Sequence, residues 1–218
     1  MREKFAFIVL VLLQETKNAW RYGKWPNARV PYVLDPNFDN NQRAEVARAL
    51  DNYHRATCVR FEPRQGSDRD YVEILRDDNT CGLAQVCVAG GAQFAKFGGG
   101  CISAGTMTHE LGHTLCFGHE QTRPDRDSWI SWNTNVCEPH GLDNGNDWTT
   151  LDLLYDYVSI QHYEGECYNG CIVPRQGGVT KCGSGGGLGV LDVEKINAFY
   201  ECGGNTRFYN AHAVPLPC

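Results

Sequence analysis

Residues 109–120 read HELGHTLCFGHE and place three histidines within one short segment. On an α-helix, side chains four residues apart lie on the same face, so His109 and His113 can reach one metal ion. A third histidine, His119, follows a short distance further along the chain, and Glu110 directly follows the first. The pattern therefore predicts a metal site built on one helix and on the segment that follows it.

The chemistry of three imidazole ligands points to a catalytic zinc ion. Such ligands leave one coordination position open to water, whereas structural zinc sites fill all four positions with protein ligands. Bound zinc lowers the pKa of water towards about 7, and the carboxylate of Glu110 is placed to accept the proton. An HExxH pattern alone also occurs on helices without metal, but the added His119 and Glu120 favour a true site. We predict one catalytic Zn²⁺ held by His109, His113 and His119.

The composition restricts the class of protein. The chain has 218 residues, 42% of them hydrophobic and 21% charged, which is an ordinary globular balance. Its net charge of −6 disfavours a nucleic-acid partner, because nucleic-acid binders present a basic face. No segment after the N-terminus is long and apolar enough to cross a bilayer, so we expect no stable membrane span.

Eleven cysteines lie between Cys58 and Cys218 and do not form the close pairs of zinc knuckles. Such spread cysteines indicate disulfides and therefore an oxidising, extracellular compartment. The odd count leaves an unpaired thiol, an intermolecular bond or a partner in a longer precursor. Near the N-terminus, basic residues precede the apolar run 5–13, which is typical of a signal-peptide core. The alternative for that run is a buried N-terminal strand.

The periodicity of apolar residues gives a coarse map of the elements. We predict strands over 29–34, 58–61, 71–75 and 92–97, and helices over 42–53, 103–117 and 191–200. The cap of the first helix is expected at Asn40 or Asn41. Glycines on both sides and Lys96 indicate that 92–97 is an edge strand. The map predicts an α+β fold with a loop-rich second lobe.

The run 109–127, HELGHTLCFGHEQTRPDRD, resembles the zinc-binding signature of the astacin family of metzincin proteases. Further blocks match the family in order, at 25–32, 58–61, 90–93, 100–101, 159–163 and 196–202. The resemblance implies a two-lobed metzincin/zincin-like protease domain at 18–202, with an N-terminal mixed sheet, an active-site helix and an irregular disulfide-rich C-terminal lobe. A leader at 1–17 and a tail at 203–218 would flank it. It also implies a secreted zinc-dependent endopeptidase that hydrolyses peptide bonds through a zinc-bound water.

The same resemblance assigns further roles. Tyr163, which follows the family's Met-turn, would ligate the zinc and then swing away to stabilise the oxyanion. Glu120 would pair with the free N-terminal amine of the mature enzyme, which makes it maturation-linked. A protein or peptide substrate would bind along the edge strand 92–97 by strand addition. The resemblance pairs Cys58 with Cys202 and Cys81 with Cys101.

Two residues depart from the family pattern. Cys116 stands where the family has a glycine in a left-handed turn, and a β-carbon there costs about 1–2 kcal/mol. We expect it to form a disulfide or to remain an inert thiol; the alternative is a thiolate that ligates the metal. Gln161 replaces the methionine of the Met-turn, and its amide needs hydrogen-bond partners when buried.

The departures leave a second class of function open. A catalytically silent, secreted binding protein could tolerate Cys116 and Gln161, whereas the intact ligand set and Glu110 favour an active enzyme. Many astacins prefer acidic side chains just after the cleaved bond. Arg175 and Lys181 are candidates for the matching cation, although loop cations are more often simply solvated.

Overall fold

The computed structural model describes residues 17–20, 23–141 and 148–203. The predicted leader, except Lys17, and the predicted tail beyond Gly203 lie outside these ranges. In chain order, the elements are strand β1 (Lys17–Trp20), strand β2 (Arg29–Leu34), helix α1 (Asn40–Ala56), strands β3 (Arg60–Pro63), β4 (Tyr71–Arg76), β5 (Gly82–Ala84) and β6 (Ala92–Phe97), helix α2 (Ala104–Thr114), strands β7 (Ile130–Trp132), β8 (Trp148–Thr149) and β9 (Ile172–Pro174), and helix α3 (Val190–Phe199). The predicted α+β class is confirmed.

A five-stranded mixed sheet forms the N-terminal lobe, in the order β3-β2-β4-β6-β5. The first four strands are parallel, and β5 runs antiparallel to β6. Alternate residues of the strands, such as Val72 and Ile74 in β4, are buried against the helices. The period-2 pattern of apolar residues therefore selects the face of the sheet that carries the core.

The prediction that 92–97 is an edge strand is wrong. Strand β6 pairs with β4 along its whole length and with β5 over Ala95–Phe97. Lys96 does not protect an exposed strand edge. Its ammonium forms an ion pair with Asp77, at 3.1 Å from Oδ2. The edge is the short strand β5. Three residues show no measurable periodicity, so β5 could not be detected from sequence.

Helices α1 and α2 pack against each other on the sheet. The cap of α1 is Asp39, whose carboxylate accepts from the backbone N–H of Gln42 while the Gln42 side chain accepts from that of Asp39. The predicted cap at Asn40 or Asn41 is therefore wrong, because the capping box is formed by Asp39. Tyr53 on α1 donates its hydroxyl to the carbonyl of Thr108 on α2, at 2.6 Å. This contact fixes α2, which carries the HExxH pattern.

The C-terminal lobe is irregular, as predicted. Its regular structure in the described ranges consists of the β7–β9 and β1–β8 pairs, α3 and two short 3₁₀ helices, Glu120–Thr122 and Arg126–Ser128. A small apolar cluster that includes Ile130, Tyr155 and Ile172 forms its core. Disulfides replace part of the missing packing. The ten described cysteines form five bonds: Cys58–Cys202, Cys81–Cys101, Cys87–Cys116, Cys137–Cys171 and Cys167–Cys182. Among the residues described, no helix is long and apolar enough to cross a membrane.

Candidate metal centre and active site

Helix α2 positions the first two histidines of the predicted ligand set. It begins after Ser103, whose hydroxyl accepts from the backbone N–H of Thr106, and its 3.6-residue period places His109 and His113 on one face. Beyond the helix, the chain turns back and brings His119 to the same point. One ring nitrogen from each histidine lies within 4.8 Å of the others, and His109 Nε2 is 3.2 Å from His119 Nε2. The structure thus brings the three together.

Backbone carbonyls fix the orientation of two of these rings. His109 Nδ1 donates to the carbonyl of Ile160 at 2.6 Å, and His113 Nδ1 donates to the carbonyl of Phe117 at 2.7 Å. Because a carbonyl only accepts, each Nδ1 carries the proton and each Nε2 keeps a free lone pair. Zinc-binding histidines typically donate their other ring N–H to such an acceptor.

The environment of the cluster favours uncharged imidazoles. Burial, with the charge of His109, lowers the pKa of His113 to about 4. Burial and the neighbouring histidines lower the pKa of His119 to about 2. The pKa of His109 is also lowered, chiefly by burial. Neutral imidazoles bind metal without first losing a proton, so these three rings, two of them with free Nε2 lone pairs, fit a zinc ion.

The carboxyl of Glu110 is buried next to the edge strand. A β-carbon at Gly82 in β5 would lie 2.6 Å from Oε1 of Glu110, so only glycine allows this close approach. Burial raises the pKa of Glu110 to about 7, although a backbone hydrogen bond from Ala84 partly opposes the shift. A carboxyl with this pKa can accept and release a proton near neutral pH.

Tyr163 and Gln161 border the cluster from the segment before α3. The ring of Tyr163 lies 4.9 Å from that of His119, and burial raises its pKa above the usual value. Gln161 is buried and its Nε2 donates to the carbonyl of His109 at 2.7 Å, but its Oε1 has no partner within the described structure. Of the two polar atoms in the Gln161 side chain, only Nε2 therefore has a hydrogen-bond partner in the described structure.

Both carboxylate oxygens of Glu120 have partners in the chain. Oε2 accepts from Lys195 Nζ, and Oε1 accepts from Arg123 Nη1 and from the backbone N–H of Asp156. Burial raises the pKa of this carboxyl, but the charges of Lys195 and Arg123 outweigh it, so the pKa is lowered overall. The resemblance implies an N-terminal amine as the partner; in the described residues, side chains of the same chain supply the positive charge.

Cys116 is bonded to Cys87 and does not join the three-histidine cluster. Its φ of 76° is the left-handed conformation that the family glycine would adopt. Cys87 lies shortly after β5, and its backbone N–H donates to the carbonyl of His113. The bond therefore ties the edge-strand segment to the turn that leads to His119, and the thiolate-ligand alternative is not realised.

A cavity of about 390 Å³ opens beside the three-histidine cluster. Its lining comprises Thr106, His109, His162, Tyr163, Glu164 and Tyr168. Arg175 and Lys181, the candidates for a cation that would bind an acidic substrate side chain, do not line this cavity. Arg175 Nε instead donates to the carbonyls of Asp127 and Ile130. Glu164 was not among the predicted site residues, because nothing in one sequence shows which loop residues face a cavity.

Two further residues that sequence reasoning missed support the site from α3. Asp192 accepts hydrogen bonds from the Ser159 hydroxyl and from the backbone N–H of Ile160, whose carbonyl holds His109. Lys195 holds Glu120, as described above. Both lie in the predicted helix 191–200, and the structure buries both side chains. A buried charge needs a partner, but the sequence alone does not show that these two positions are buried.

The fold and the three-histidine cluster define a zincin-like metallopeptidase domain, with a mixed sheet, an HExxH helix and an irregular disulfide-rich lobe. The model of one family of peptidases, Astacin, matches residues 17–201. The chain belongs to the astacin family, as the sequence motifs predict.

Known relatives agree with this assignment. Zinc metalloproteinase nas-4 of Caenorhabditis elegans is 38% identical over 84% of this chain and 61% of its own length. An astacin-like metalloendopeptidase of Coturnix japonica is 35% identical over 82% of this chain and 46% of its own. The chain thus spans about three fifths or less of these curated relatives. Among solved structures, high choriolytic enzyme 1, a hatching enzyme zinc-protease of Oryzias latipes, is similar with a TM-score of 0.71, 30% identity, and coverage of 82% of this chain and 93% of that chain.

Proposed function

We propose that this chain is a secreted, zinc-dependent endopeptidase that hydrolyses peptide bonds in proteins. The observation that carries the proposal is the group of three histidine nitrogens within 4.8 Å of one another, beside the buried carboxyl of Glu110. Membership of the astacin family supports it. The curated relatives are longer than this chain, so their names support the class of activity and not a particular substrate.

His109, His113 and His119 would hold the zinc ion. Zinc supplies Lewis acidity there, which lowers the pKa of water and polarises a carbonyl. Glu110 takes the proton from the attacking water and passes it to the leaving amine, and its pKa of about 7 suits both transfers near neutral pH. The buried position next to Gly82 keeps this carboxyl partly desolvated and so maintains that pKa.

Tyr163 is assigned to the developing oxyanion. Its ring borders His119, and its raised pKa keeps the phenol protonated at physiological pH, so that it can donate a hydrogen bond. A preorganised donor aimed at developing charge contributes most in a site that excludes water. In the free enzyme the Tyr163 side chain would ligate the zinc, and it would swing away from the metal to stabilise the oxyanion.

We assign the substrate backbone to β5 in place of the predicted 92–97. Strand β5 is the last strand of the sheet and lies directly beside Glu110. An edge strand offers backbone donors and acceptors to an added strand. Leu83, in the middle of β5, is 50% exposed, so the strand is accessible.

Secretion is supported by the five disulfides, which persist in oxidising compartments. The proposed division of the chain is a leader at 1–17, the protease domain at 18–202 and a tail at 203–218. The family match over 17–201 supports the extent of the middle part.

The test is proteolysis of a protein substrate by the oxidised, zinc-loaded full chain. Cleavage that disappears with a chelator and in Glu110→Ala, while the variant retains zinc, would support the peptidase. A folded, zinc-containing chain that cleaves nothing would overturn it and favour the catalytically silent binding protein.

A further inference from the structure

The cavity beside the three-histidine cluster lies where the proposed peptidase function would place part of a bound substrate. His109 and Tyr163 border both the cluster and the cavity. A side chain that flanks the cleaved bond therefore enters this space if the carbonyl of that bond reaches the cluster. The volume of about 390 Å³ is large enough for a long side chain.

The cavity carries one carboxylate and no described cation. Glu164 lines it and is exposed, and no described lysine or arginine forms an ion pair with its side chain. Its stem is held by the glycine-rich segment before α3, because a β-carbon at Gly183 would lie 2.7 Å from Cγ of Glu164. Gly185 lies close to Oε2 of the same side chain. The stem of Glu164 therefore packs against this segment, and its carboxylate lies at the wall of the cavity.

Two tyrosine rings line the cavity together with Glu164. Tyr163 and Tyr168 have ring centroids 4.8 Å apart and both face the same space. Aromatic faces attract cations and also pack against aliphatic stems. A carboxylate with two tyrosine rings recognises an ammonium or guanidinium group on a long stem. An acidic side chain would meet the like charge of Glu164.

We propose that this cavity binds a lysine or arginine side chain of the substrate at one of the two positions flanking the cleaved bond, with Glu164 as the residue that sets the preference. The inference rests on the proposed peptidase function. It is opposite to the acidic preference that the resemblance implies, and Arg175, the candidate for an acid-binding cation, does not line the cavity.

The first test profiles the bonds that the zinc-loaded full chain cleaves in a diverse peptide mixture. We expect lysine and arginine to be enriched at one flanking position, and the enrichment to fall roughly fivefold in Glu164→Gln, as expected for the loss of one exposed ion pair. Glu166→Gln is the matched control, since Glu166 is exposed nearby but does not line the cavity. A preference for acidic residues, or a profile unchanged by Glu164→Gln, would overturn the inference.

A binding measurement separates this inference from the proposed activity. The zinc-loaded Glu110→Gln variant is titrated with two peptides that differ only in lysine or glutamate at the selected position, scanned across the peptide centre. The lysine peptide should bind roughly five- to tenfold more tightly, and the ratio should approach one in Glu110→Gln/Glu164→Gln. If this ratio holds while the wild type cleaves nothing, the peptidase function fails and the pocket assignment stands. Equal binding of the two peptides by a cleaving enzyme overturns the assignment alone.

Discussion

The ammonium of Lys195, on α3, donates a 2.7 Å hydrogen bond to Oε2 of Glu120, the residue that follows His119. The side chains of Lys195 and Glu120 are only 7% and 2% exposed. Arg123 pairs with the other oxygen of the same carboxylate, so the buried negative charge is fully matched. This network connects α3 to His119, the third candidate ligand. We expect its loss to lower both the free energy of unfolding and the affinity for zinc.

Replacement of Lys195 by methionine removes one cation and leaves the stem volume in place. Because the carboxylate stays buried and Arg123 remains, we expect a loss of about 2–3 kcal/mol in the free energy of unfolding. Urea unfolding with disulfides intact measures it. The control is Glu120→Gln/Lys195→Met, which buries no unpaired charge and should recover most of the loss. Equal stability of Lys195→Met and wild type would show that the pair contributes little.

The Cys87–Cys116 bond gives a prediction that separates crosslink from backbone strain. Cys87→Ala/Cys116→Gly removes the crosslink but suits the φ of 76°, whereas Cys87→Ala/Cys116→Ala must hold alanine in that conformation. We expect the glycine variant to lose about 3 kcal/mol relative to wild type. The alanine variant should lose about 1 kcal/mol more.

Thermal or urea unfolding of the three proteins makes this comparison. If the alanine variant matches the glycine variant, the turn has relaxed and the strain argument fails. If neither differs from wild type, the crosslink does not constrain the unfolded chain.

Local patterns were enough to predict most of the elements. The predicted strands 29–34 and 92–97 match β2 and β6 in extent, because apolar and β-branched residues bounded by turn residues leave little choice. The predicted helix 103–117 contains α2, which ends earlier, at Thr114, because Cys116 takes the left-handed conformation. Periodicity located the helix, and turn geometry set its end.

Non-local pairings were not accessible in the same way. The position of β6 inside the sheet depends on β5, a strand too short to leave a pattern. The partner of Cys116 lies 29 residues away, and spacing alone does not choose among many cysteines. The acidic lining by Glu164 arises from the packing of two loops. Sequence motifs located the three histidines of the candidate metal site, whereas the position of Glu164 at the cavity could be seen only in the fold.

Asp156 predicts a pH-dependent contribution to stability. Burial and the charge of Asp192 raise the pKa of Asp156 to about 6, above the usual 3.8. A raised carboxyl pKa means that ionisation costs more in the folded state, so stability falls as pH rises from about 4 to about 6 and the full cost remains above it.

Asp156→Asn keeps an oxygen for the backbone N–H of Val158 and removes the charge. We expect the variant to be more stable than wild type by about 2 kcal/mol at pH 8 and equally stable at pH 4. Urea unfolding at both values measures the difference. A gain of the same size at both pH values would contradict a titration effect.

The half-satisfied amide of Gln161 leads to the last prediction. Its Oε1 is buried without a described partner, and a buried acceptor left unpaired costs about 1–3 kcal/mol. Gln161→Met removes this atom with little change in volume but also removes the hydrogen bond from Nε2 to His109. The net gain in the free energy of unfolding should therefore be about 1 kcal/mol. Gln161→Leu, which is shorter and branched, is the control for packing.

A small cavity of about 20 Å³ lined by Gln161 has room for one water molecule. No gain in Gln161→Met would mean that such a water already satisfies Oε1.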